Sequence, residues 1–332
     1  MKRIPVIVDC DPGHDDMMAL VIACCSPQLD VKLVSTVAGN KPLELVTRNA
    51  LNVMHYIGAD EIPLAEGCDR PICRPKDHIQ AKLAEFRRHT GSIENGAHGI
   101  SGLDGFSFPE ENPKKPIEIR AVEAMAKVLR ESREKVTIIP LGPLTNVAML
   151  IRCYPDLLKR IDKISLMGGT SQFVFTRQYM EFNTFVDPEA TKIVFNSGVP
   201  IIMFGYDVTY SVLYDQSIID RIATHGNQTS HMVSELLKAF MHRHNSAFQW
   251  LGLTDTCPIH DACAVAGVVD PTLITGSKML HVDVEIGGNY LNGATVVDYA
   301  QSTGLPANVQ VVYQMDNARF FEMMEHCAAR GK

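Results

Sequence analysis

Short apolar runs rich in β-branched residues alternate with segments of helical spacing over the first two thirds of the chain. The runs that we predict to be strands are 5–9, 31–37, 62–65, 136–140, 163–167 and 201–204. The segments that we predict to be helices are 15–23, 42–57, 119–132, 143–152 and 188–196. Because alternating strands and helices favour parallel strands covered on both faces, the pattern predicts an α/β fold with an open, mostly parallel, Rossmann-like sheet and flanking helices.

Two stretches depart from this alternation. Residues 66–118 are rich in Pro, Gly, His and charge and have no clear period, and a loop of this length in a compact domain usually has a function. Residues 211–332 are more helical, with helices predicted at 216–248, at 260–268 and from 317 onward, and strands at 279–286, 294–297 and 309–313. Since α/β folds of this length often form one domain, we predict a single domain over residues 1–332 with an inserted loop and a helix-rich C-terminal part.

The charge balance and the cysteine content argue against several classes of protein. The chain has 31 Lys and Arg against 38 Asp and Glu, with no basic cluster that would bind nucleic acid. The apolar N-terminal run at 6–8 is too short for a signal peptide, and no apolar run approaches the roughly 20 residues of a membrane span. The nine cysteines show no CxxC spacing, which favours reduced thiols over disulfides or a zinc site. These features predict a cytoplasmic protein without nucleic-acid or membrane partners.

Four aspartates directly follow the first predicted strand, in the stretch VIVDCDPGHDD at 6–16; they are Asp9, Asp11, Asp15 and Asp16. Burying like charges together costs several kcal/mol each unless something compensates. A solvated loop whose carboxylates stabilise a helix N-terminus is one explanation, and a site for a hard cation such as Ca²⁺ or Mg²⁺ is the other. An EF-hand is excluded because its sixth position needs Gly and its twelfth needs Glu, whereas this chain has His14 and Leu20 there. The DxDxT pattern of phosphatases with an aspartate nucleophile fits only in part, since Gly13 replaces the threonine.

Polar and glycine-rich segments follow several other predicted strands. AGN comes after the second strand at 38–40, LGPLTN after the fourth at 141–146, and GGT after the fifth at 168–170, with EFN further along at 181–183. In an open parallel sheet the ligand binds beyond the carboxyl ends of the strands. We therefore predict that these segments meet the aspartates at one edge of the sheet and form a ligand site there.

Several of these motifs together resemble those of a known enzyme family. VDCDPGHDD at 8–16 resembles the N-terminal signature of the inosine–uridine-preferring nucleoside hydrolases. The motifs VAGN (37–40), GPLTN (142–146), LMGG (166–169), EFN with VDPEA (181–190) and PIHDACAVA (258–266) follow in the order of that family. The resemblance implies the nucleoside hydrolase fold and Ca²⁺-dependent hydrolysis of the N-glycosidic bond of a ribonucleoside to ribose and free base, in nucleoside salvage. It also implies a homodimer or homotetramer.

The resemblance further implies a role for each matching residue. Ca²⁺ would be bound by the carboxylates of Asp11, Asp16 and Asp261 and by the main-chain carbonyl of Leu141. Catalysis would use Asp11 as the general base that deprotonates a calcium-bound water, and His260 near the leaving base. The substrate would be contacted by Asp15, Asn40, His98, Met167, Glu181, Asn183 and Asp261. Such a site suits the reaction, because carboxylates around the ribose stabilise the positive charge that develops on the sugar and a cation offsets their mutual repulsion.

Two positions bear on the choice of substrate. Phe175 stands where the family usually has an asparagine that contacts the 5′-hydroxyl, and Gln172 or Gln178 could replace that contact. Trp250, the only tryptophan, precedes His260 at about the spacing of the family's pocket aromatics. Stacking of a base on Trp250 would slightly favour purine nucleosides such as inosine and guanosine, and core packing is the alternative role of this side chain.

Other roles and other functions remain open at this stage. Asp9 is predicted to be structural, and His14 is predicted to order the aspartate loop. A catalytically silent nucleoside- or sugar-binding protein of the same fold is one alternative function. A metal-dependent phosphatase or phosphoryl transferase is another, although the chain has no Gly-rich phosphate loop and no Lys or Arg within the motifs.

Overall fold

An eight-stranded sheet forms the centre of the fold in the computed structural model, which describes residues 2–79, 81, 97–172, 180–247, 255–288 and 291–332. The strands are β1 Ile4–Cys10, β2 Leu29–Thr36, β3 Leu64–Glu66, β4 Val136–Pro140, β5 Ile161–Met167, β6 Ile201–Phe204, β7 Leu213–Asp215, β8 Thr256–Pro258, β9 Ile274–Leu280, β10 Val282–Val284, β11 Thr295–Val297 and β12 Val309–Met315. The order across the sheet is β3-β2-β1-β4-β5-β6-β12-β9. Within this sheet, β9 alone runs antiparallel to its neighbour, β12. The prediction of an open, mostly parallel sheet is confirmed.

Helices cover both faces of this sheet. They are α1 His14–Cys25, α2 Leu43–Tyr56, α3 Ala121–Glu131, α4 Thr145–Cys153, α5 Phe182–Val186, α6 Pro188–Phe195, α7 Tyr206–Thr209, α8 Gln216–Ala223, α9 Gln228–Ala247, α10 Asp261–Val269 and α11 Asn317–Arg330. Within the described part of the chain, none of them combines the length and the apolar character needed to cross a membrane.

Alternate side chains of β1 enter two separate apolar layers. Val6 and Val8 pack in the layer formed with α1 and α10, whereas Ile7 packs in the layer formed with α3 and α4. Because both faces are covered, the central strands are continuously apolar instead of alternating with polar residues. The parallel register sets Asp9 of β1 opposite Ser35 of β2 and Pro140 of β4. The carboxyl ends of these three strands, and the motifs that follow them, therefore lie at one edge of the sheet.

Two predicted elements are wrong in their extent. The helix predicted at 216–248 is two helices, α8 and α9, because the chain turns at Gly226, whose φ of +68° is a left-handed conformation that glycine adopts without strain. The strand predicted at 279–286 is divided between β9 and β10. β10 leaves the central sheet and pairs with β11, while β9 extends back to Ile274 through the polar stretch ITGSK.

Several short elements lack a sequence signal long enough to predict them. The helices α5 and α7 have five and four residues, which is less than the window that helical periodicity requires. The strands β7 and β8 have three residues each and pair with one another outside the central sheet. In the predicted inserted loop, the described residues 67–77 and 97–118 form turns and irregular backbone.

Candidate active site

The aspartate loop between β1 and α1 is closed by hydrogen bonds to Asp16. The backbone N–H of Gly13 donates to Asp16 Oδ2 at 2.9 Å, and the N–H of Asp11 donates to Asp16 Oδ1 at 3.2 Å. Asp16 is the third residue of α1, so its carboxylate reaches back to the N–H of Gly13, the N-cap residue, and to the N–H of Asp11 further back in the loop. This capping explains why the loop folds back and brings its carboxylates together.

Three carboxylates of this region form a compact cluster. Asp15, Asp16 and Asp261 each place a carboxylate oxygen within 4.8 Å of the other two, and all three side chains are buried. Asp261 is the first residue of α10, which packs against α1. Oδ1 of Asp15 is buried and has no hydrogen-bond partner among the described residues. The loop after β1 and the start of α10 thus place these acidic groups at one point.

Asp11 is held beside this cluster by two glycines and an asparagine. A Cβ atom at Gly39 would overlap Asp11 Oδ2, and one at Gly142 would lie 2.5 Å from Asp11 Oδ1. The backbone N–H of Asn40 donates to Asp11 Oδ2 at 2.7 Å, and the Asn40 side-chain amide donates to the Asp11 carbonyl at 3.2 Å. The glycines of the AGN and GPL segments are therefore required by space, since the Asp11 carboxylate occupies the volume that larger residues would fill.

Burial raises the pKa of Asp11, Asp15, Asp16 and Asp261. The pKa of Asp15 rises to about 7 and that of Asp16 to about 6, and the pKa values of Asp11 and Asp261 also lie well above the usual range for aspartate. Loss of water is the main cause, and the charges of the neighbouring carboxylates add to it for Asp11, Asp15 and Asp261. A bound cation would offset both effects.

The donor set fits a hard divalent cation. All candidate ligands are oxygens, three of them converge within 4.8 Å, and the buried Asp15 Oδ1 lacks a hydrogen-bond partner within the described part of the chain. Asp16 and Asp261 belong to the ligand set that the sequence predicted. The third member of the compact cluster is Asp15, for which the family resemblance implied a ribose contact. Asp11, the remaining carboxylate in the predicted ligand set, lies beside the cluster and accepts from the N–H of Asn40.

A second group of side chains joins the ends of β4 and β5. The Asn183 amide donates to the carbonyl of Leu141 at 2.6 Å and to the carbonyl of Met167 at 3.1 Å. The Glu181 carboxylate caps α5 by accepting from the N–H groups of Asn183 and Thr184 at 2.8 and 3.1 Å, and it also accepts from the N–H of Gly169 at 3.1 Å. The structure therefore brings the GPL, LMGG and EFN motifs together at the edge of the sheet, as the sequence predicted.

His260 lies directly before Asp261 and is fixed by α7. Its Nδ1 lies 2.8 Å from the hydroxyl oxygen of Thr209, and its ring stacks on Tyr206 with the ring centroids 4.8 Å apart. The ring of Tyr210 lies further away, at 6.3 Å. Aromatic and polar side chains therefore surround His260 beside the carboxylate cluster. The family resemblance places the leaving base in this part of the site.

His98 reaches the site from the long loop. Its Nε2 lies 3.9 Å from Asp15 Oδ1, and its Nδ1 accepts the backbone N–H of His14 at 3.2 Å. The Nε2–H of buried His14 donates to the carbonyl of Asp104 at 2.9 Å, and burial lowers the pKa of His14 to about 4, so its ring is neutral at physiological pH. Phe240 stacks on both imidazoles, at 5.1 and 5.3 Å. His14 therefore joins the aspartate loop to the loop that carries His98.

Asp9 lies apart from the acidic cluster. Its Oδ1 accepts from the Ser35 hydroxyl at 2.6 Å and from the Asn146 amide at 2.8 Å, and burial raises its pKa to about 7. The Asn146 amide also donates to the carbonyl of Thr36 at 3.0 Å. These bonds tie β1, β2 and α4 together.

Sequence reasoning missed the contribution of α7. This helix follows β6, and its residues Tyr206 and Thr209 contact His260 while Asp207 accepts from the Ser171 N–H at 2.9 Å. The segment GYDVTY directly follows the sixth strand. Its position beyond a strand end is the sequence signal by which these residues could have been found. Of the residues tied to base and 5′-hydroxyl recognition, Phe175, Gln178 and Trp250 lie outside the described residues, and Gln172 is exposed.

Comparison with solved structures defines the class of protein. The purine-preferring ribonucleoside hydrolase from Gardnerella vaginalis matches with a TM-score of 0.86 and 25% sequence identity, covering 98% of each chain. The plant nucleoside hydrolase PpNRh1 matches with a TM-score of 0.85 and 26% identity, covering 98% of this chain and 99% of that one. The protein is a nucleoside hydrolase, a glycosidase that acts on N-glycosyl compounds.

Comparison with protein families and curated sequences gives the family. Residues 6–322 match the model of the inosine-uridine preferring nucleoside hydrolases, and the chain belongs to this family. The pyrimidine-specific ribonucleoside hydrolase RihA of Citrobacter koseri is 40% identical over 321 residues, which cover 97% of this chain and 96% of that protein. RihA of Escherichia coli O7:K1 is also 40% identical, with 97% of each chain covered. The predictions of family, fold and enzyme class are confirmed.

Proposed function

We propose that this enzyme hydrolyses pyrimidine ribonucleosides, uridine and cytidine, to ribose and free base with Ca²⁺ bound among the buried carboxylates. The observation that carries the proposal is the cluster of Asp15, Asp16 and Asp261 beside Asp11, at the edge of the sheet where the family motifs meet. Relatives that are 40% identical over 97% of the chain are named pyrimidine-specific. The slight preference for purines that was inferred from Trp250 gains no support from these relatives.

The cation would be held by Asp16 and Asp261, together with Asp11 and the carbonyl of Leu141. The Leu141 carbonyl already accepts from Asn183 at 2.6 Å, and a carbonyl oxygen has a second lone pair that can bind an ion. When bound, Ca²⁺ would offset the repulsion among the carboxylates and make a water molecule at the site easier to deprotonate.

Different side chains act on the water, on the ribose and on the base. Asp11 accepts the proton of the attacking water, and its position between Gly39 and Gly142 leaves it little freedom to rotate. Asp15, Asn40, Glu181 and Asn183 bind the ribose hydroxyls, with Met167 packed near the sugar and His98 near the substrate. The negative charges around the ring stabilise the positive charge that builds on the sugar as the bond to the base breaks.

His260 assists departure of the base. The base takes up the bonding electron pair and needs a proton, and an imidazole can supply one near neutral pH. The rings of Tyr206 and Tyr210 beside His260 give the base an apolar surface on which to stack. Without an acid on this side of the site, the base would leave as an anion.

A substrate panel tests the proposal. We expect kcat/KM, measured by release of reducing sugar, to be higher for uridine and cytidine than for inosine, guanosine and adenosine. Activity should disappear with a chelator and return with Ca²⁺, whereas a metal-dependent phosphatase would hydrolyse p-nitrophenyl phosphate and a silent binding protein would release no sugar. Higher kcat/KM for inosine than for either pyrimidine nucleoside would contradict the assignment of substrate.

A matched pair of variants links the activity to the site. Asp11→Asn removes a buried carboxylate beside the cluster, and Asp220→Asn makes the same change on the exposed surface of α8. Only the first should stop turnover.

In addition, we propose that the protein forms a homodimer or homotetramer in the cytoplasm. Light scattering of the purified protein tests the assembly.

A further inference from the structure

The short helix α7 holds one edge of the His260 ring. The hydroxyl oxygen of Thr209 lies 2.8 Å from His260 Nδ1, and the Thr209 side chain is fully buried. Tyr206, one turn earlier, stacks its ring on the imidazole with an interplanar angle of 19°. The ring is therefore fixed in its plane by Tyr206 and in its rotation by Thr209, and Nδ1 is the nitrogen that contacts α7.

The single proton of the Thr209 hydroxyl has two possible acceptors. One is His260 Nδ1, and the other is the carbonyl of Tyr206, which lies 3.3 Å from the same hydroxyl oxygen. A carbonyl can only accept a hydrogen bond, whereas a hydroxyl can donate one and accept others. If the Thr209 proton goes to the Tyr206 carbonyl, the contact at 2.8 Å requires that Nδ1 carries a proton and donates it to Thr209.

The arrangement with the proton on Nδ1 makes both hydrogen bonds. The opposite arrangement, in which Thr209 donates to Nδ1, makes only the contact to His260 and gives up the bond to the Tyr206 carbonyl. Only the first arrangement also suits an imidazole that gives a proton from Nε2, because a proton-donating ring has N–H groups on both nitrogens and Nδ1 then needs an acceptor. After the transfer the ring keeps its Nδ1–H, and no group in α7 has to move.

We propose that Thr209 is a positioning residue that keeps a proton on Nδ1 of His260 and so makes Nε2 the nitrogen that meets the leaving base. The inference rests on the proposed function, in which His260 acts on that base. Thr209 touches neither the substrate nor the acidic cluster in this account, and it acts only through His260.

The surroundings of Thr209 keep its hydroxyl in place. The N–H of Thr209 donates to the carbonyl of Gly205 at 3.1 Å, and neighbouring Val208 is buried in the apolar core. Asp207 anchors the other side of α7 to the loop after β5, through the N–H of Ser171. The branched side chain of threonine also has few accessible rotamers. The hydroxyl is therefore presented to His260 at a fixed position.

Spectroscopy tests the proton position without any turnover. Long-range ¹H–¹⁵N correlation spectra of histidine-labelled protein distinguish the two neutral ring forms, and the signals of His260 among the 12 histidines are assigned with His260→Ala. The wild type should show the form protonated on Nδ1. Thr209→Val, which keeps the branched shape and removes the hydroxyl, should lose that preference, and Thr209→Ser should restore it. A proton on Nε2 in the wild type, or an unchanged spectrum in Thr209→Val, would overturn the proposal.

Kinetics separate a positioning role from a structural one. Thr209→Val should lower kcat for uridine by about tenfold or more, within the roughly 10²–10⁴-fold that a positioned acid or base contributes. Turnover of p-nitrophenyl riboside, whose leaving group needs no proton, should change much less, and Thr209→Ser should recover most of the loss on uridine. Equal losses on both substrates would show that the hydroxyl supports the fold only, and the proposal would fail.

A control variant and the wild type complete the design. Thr229→Val makes the same change at another fully buried threonine, in the first turn of α9, and should leave both rates near those of the wild type. Failure of the proposed function would appear differently, as absence of turnover by the wild type on every nucleoside. The spectroscopic result on Thr209 does not depend on that outcome.

Discussion

Replacing Gly39 with alanine is expected to displace the Asp11 carboxylate and to slow nucleoside hydrolysis strongly. The new Cβ would overlap Asp11 Oδ2 and would lie 2.8 Å from Cδ of Pro143. The carboxylate cannot move aside, because its Oδ1 already occupies the space beside Gly142. Asp11 must therefore leave its position and break the 2.7 Å hydrogen bond from the N–H of Asn40.

The expected size of the effect follows from these contacts. Overpacking of this kind costs typically about 1–3 kcal/mol of stability, so the variant should still fold. The effect on catalysis is larger in proportion, because a displacement of about 1 Å in a catalytic constellation can cost about 10²-fold in rate. We expect kcat/KM for uridine to fall by about 10²-fold, and most of the fall should appear in kcat.

The same substitution at Gly168 provides the control. A Cβ there would meet Glu181 Oε2 at 3.5 Å, an ordinary van der Waals distance, and the position lies at the same edge of the sheet. Both variants are compared by reducing-sugar release and by thermal unfolding with Ca²⁺ present. If Gly39→Ala keeps kcat/KM within about tenfold of the wild type, or if Gly168→Ala loses as much, the steric argument for Asp11 is wrong.

Four further predictions concern the acidic groups, the metal and His260. Asp11→Asn should reduce kcat by more than about tenfold with the fold intact, since a general base contributes roughly 10²–10⁴-fold; a smaller loss would exclude that role. If Ca²⁺ occupies the proposed site, chelation should lower the melting temperature and added Ca²⁺ should restore it, because a ligand that binds only the native state stabilises it; zinc, or no divalent metal, in elemental analysis of unchelated protein would contradict the site. His260→Ala should slow uridine far more than p-nitrophenyl riboside, and equal losses would exclude proton donation to the base. Burial raises the pKa of Asp9 to about 7, above its unfolded value of about 3.9, so between these pH values the native state holds a proton on Asp9 that the unfolded state has lost, and stability falls as the pH rises. Asp9→Asn should therefore gain stability relative to the wild type as the pH rises over this range. A difference in unfolding free energy that does not change with pH would refute the raised pKa of Asp9.

The sequence was sufficient to predict the sheet and the edge that carries the site. Central strands buried on both faces are continuously apolar, so β1, β4 and β6 stand out as short runs. Each motif follows a strand directly, and parallel pairing then brings the strand ends together whatever the intervening loops do. This is why the GPL, LMGG and EFN motifs meet as expected, joined through Asn183.

The finer arrangement depends on tertiary contacts that have no local signal. Which carboxylates converge is decided by the packing of α10 against α1, which brings Asp261 to Asp15 and Asp16 over a separation of more than 240 residues. The role of α7 is equally hidden, because a helix of four residues shows no periodicity. Thr209 becomes recognisable only when His260 is seen beside it.

Because the carboxylates lie within 4.8 Å of one another, binding of a metal ion at this site would release protons from them. Because the pKa of Asp15 rises to about 7 and that of Asp16 to about 6, these oxygens hold protons at mildly acidic pH when no cation is bound. A cation at the site proposed above would have to displace the proton of Asp16, since carboxylate ligands bind metal in the deprotonated form. The Ca²⁺ concentration that half-saturates the enzyme should therefore rise as the pH falls from 7 towards 6. Acidification would then lower nucleoside hydrolysis by releasing the cation from the proposed site.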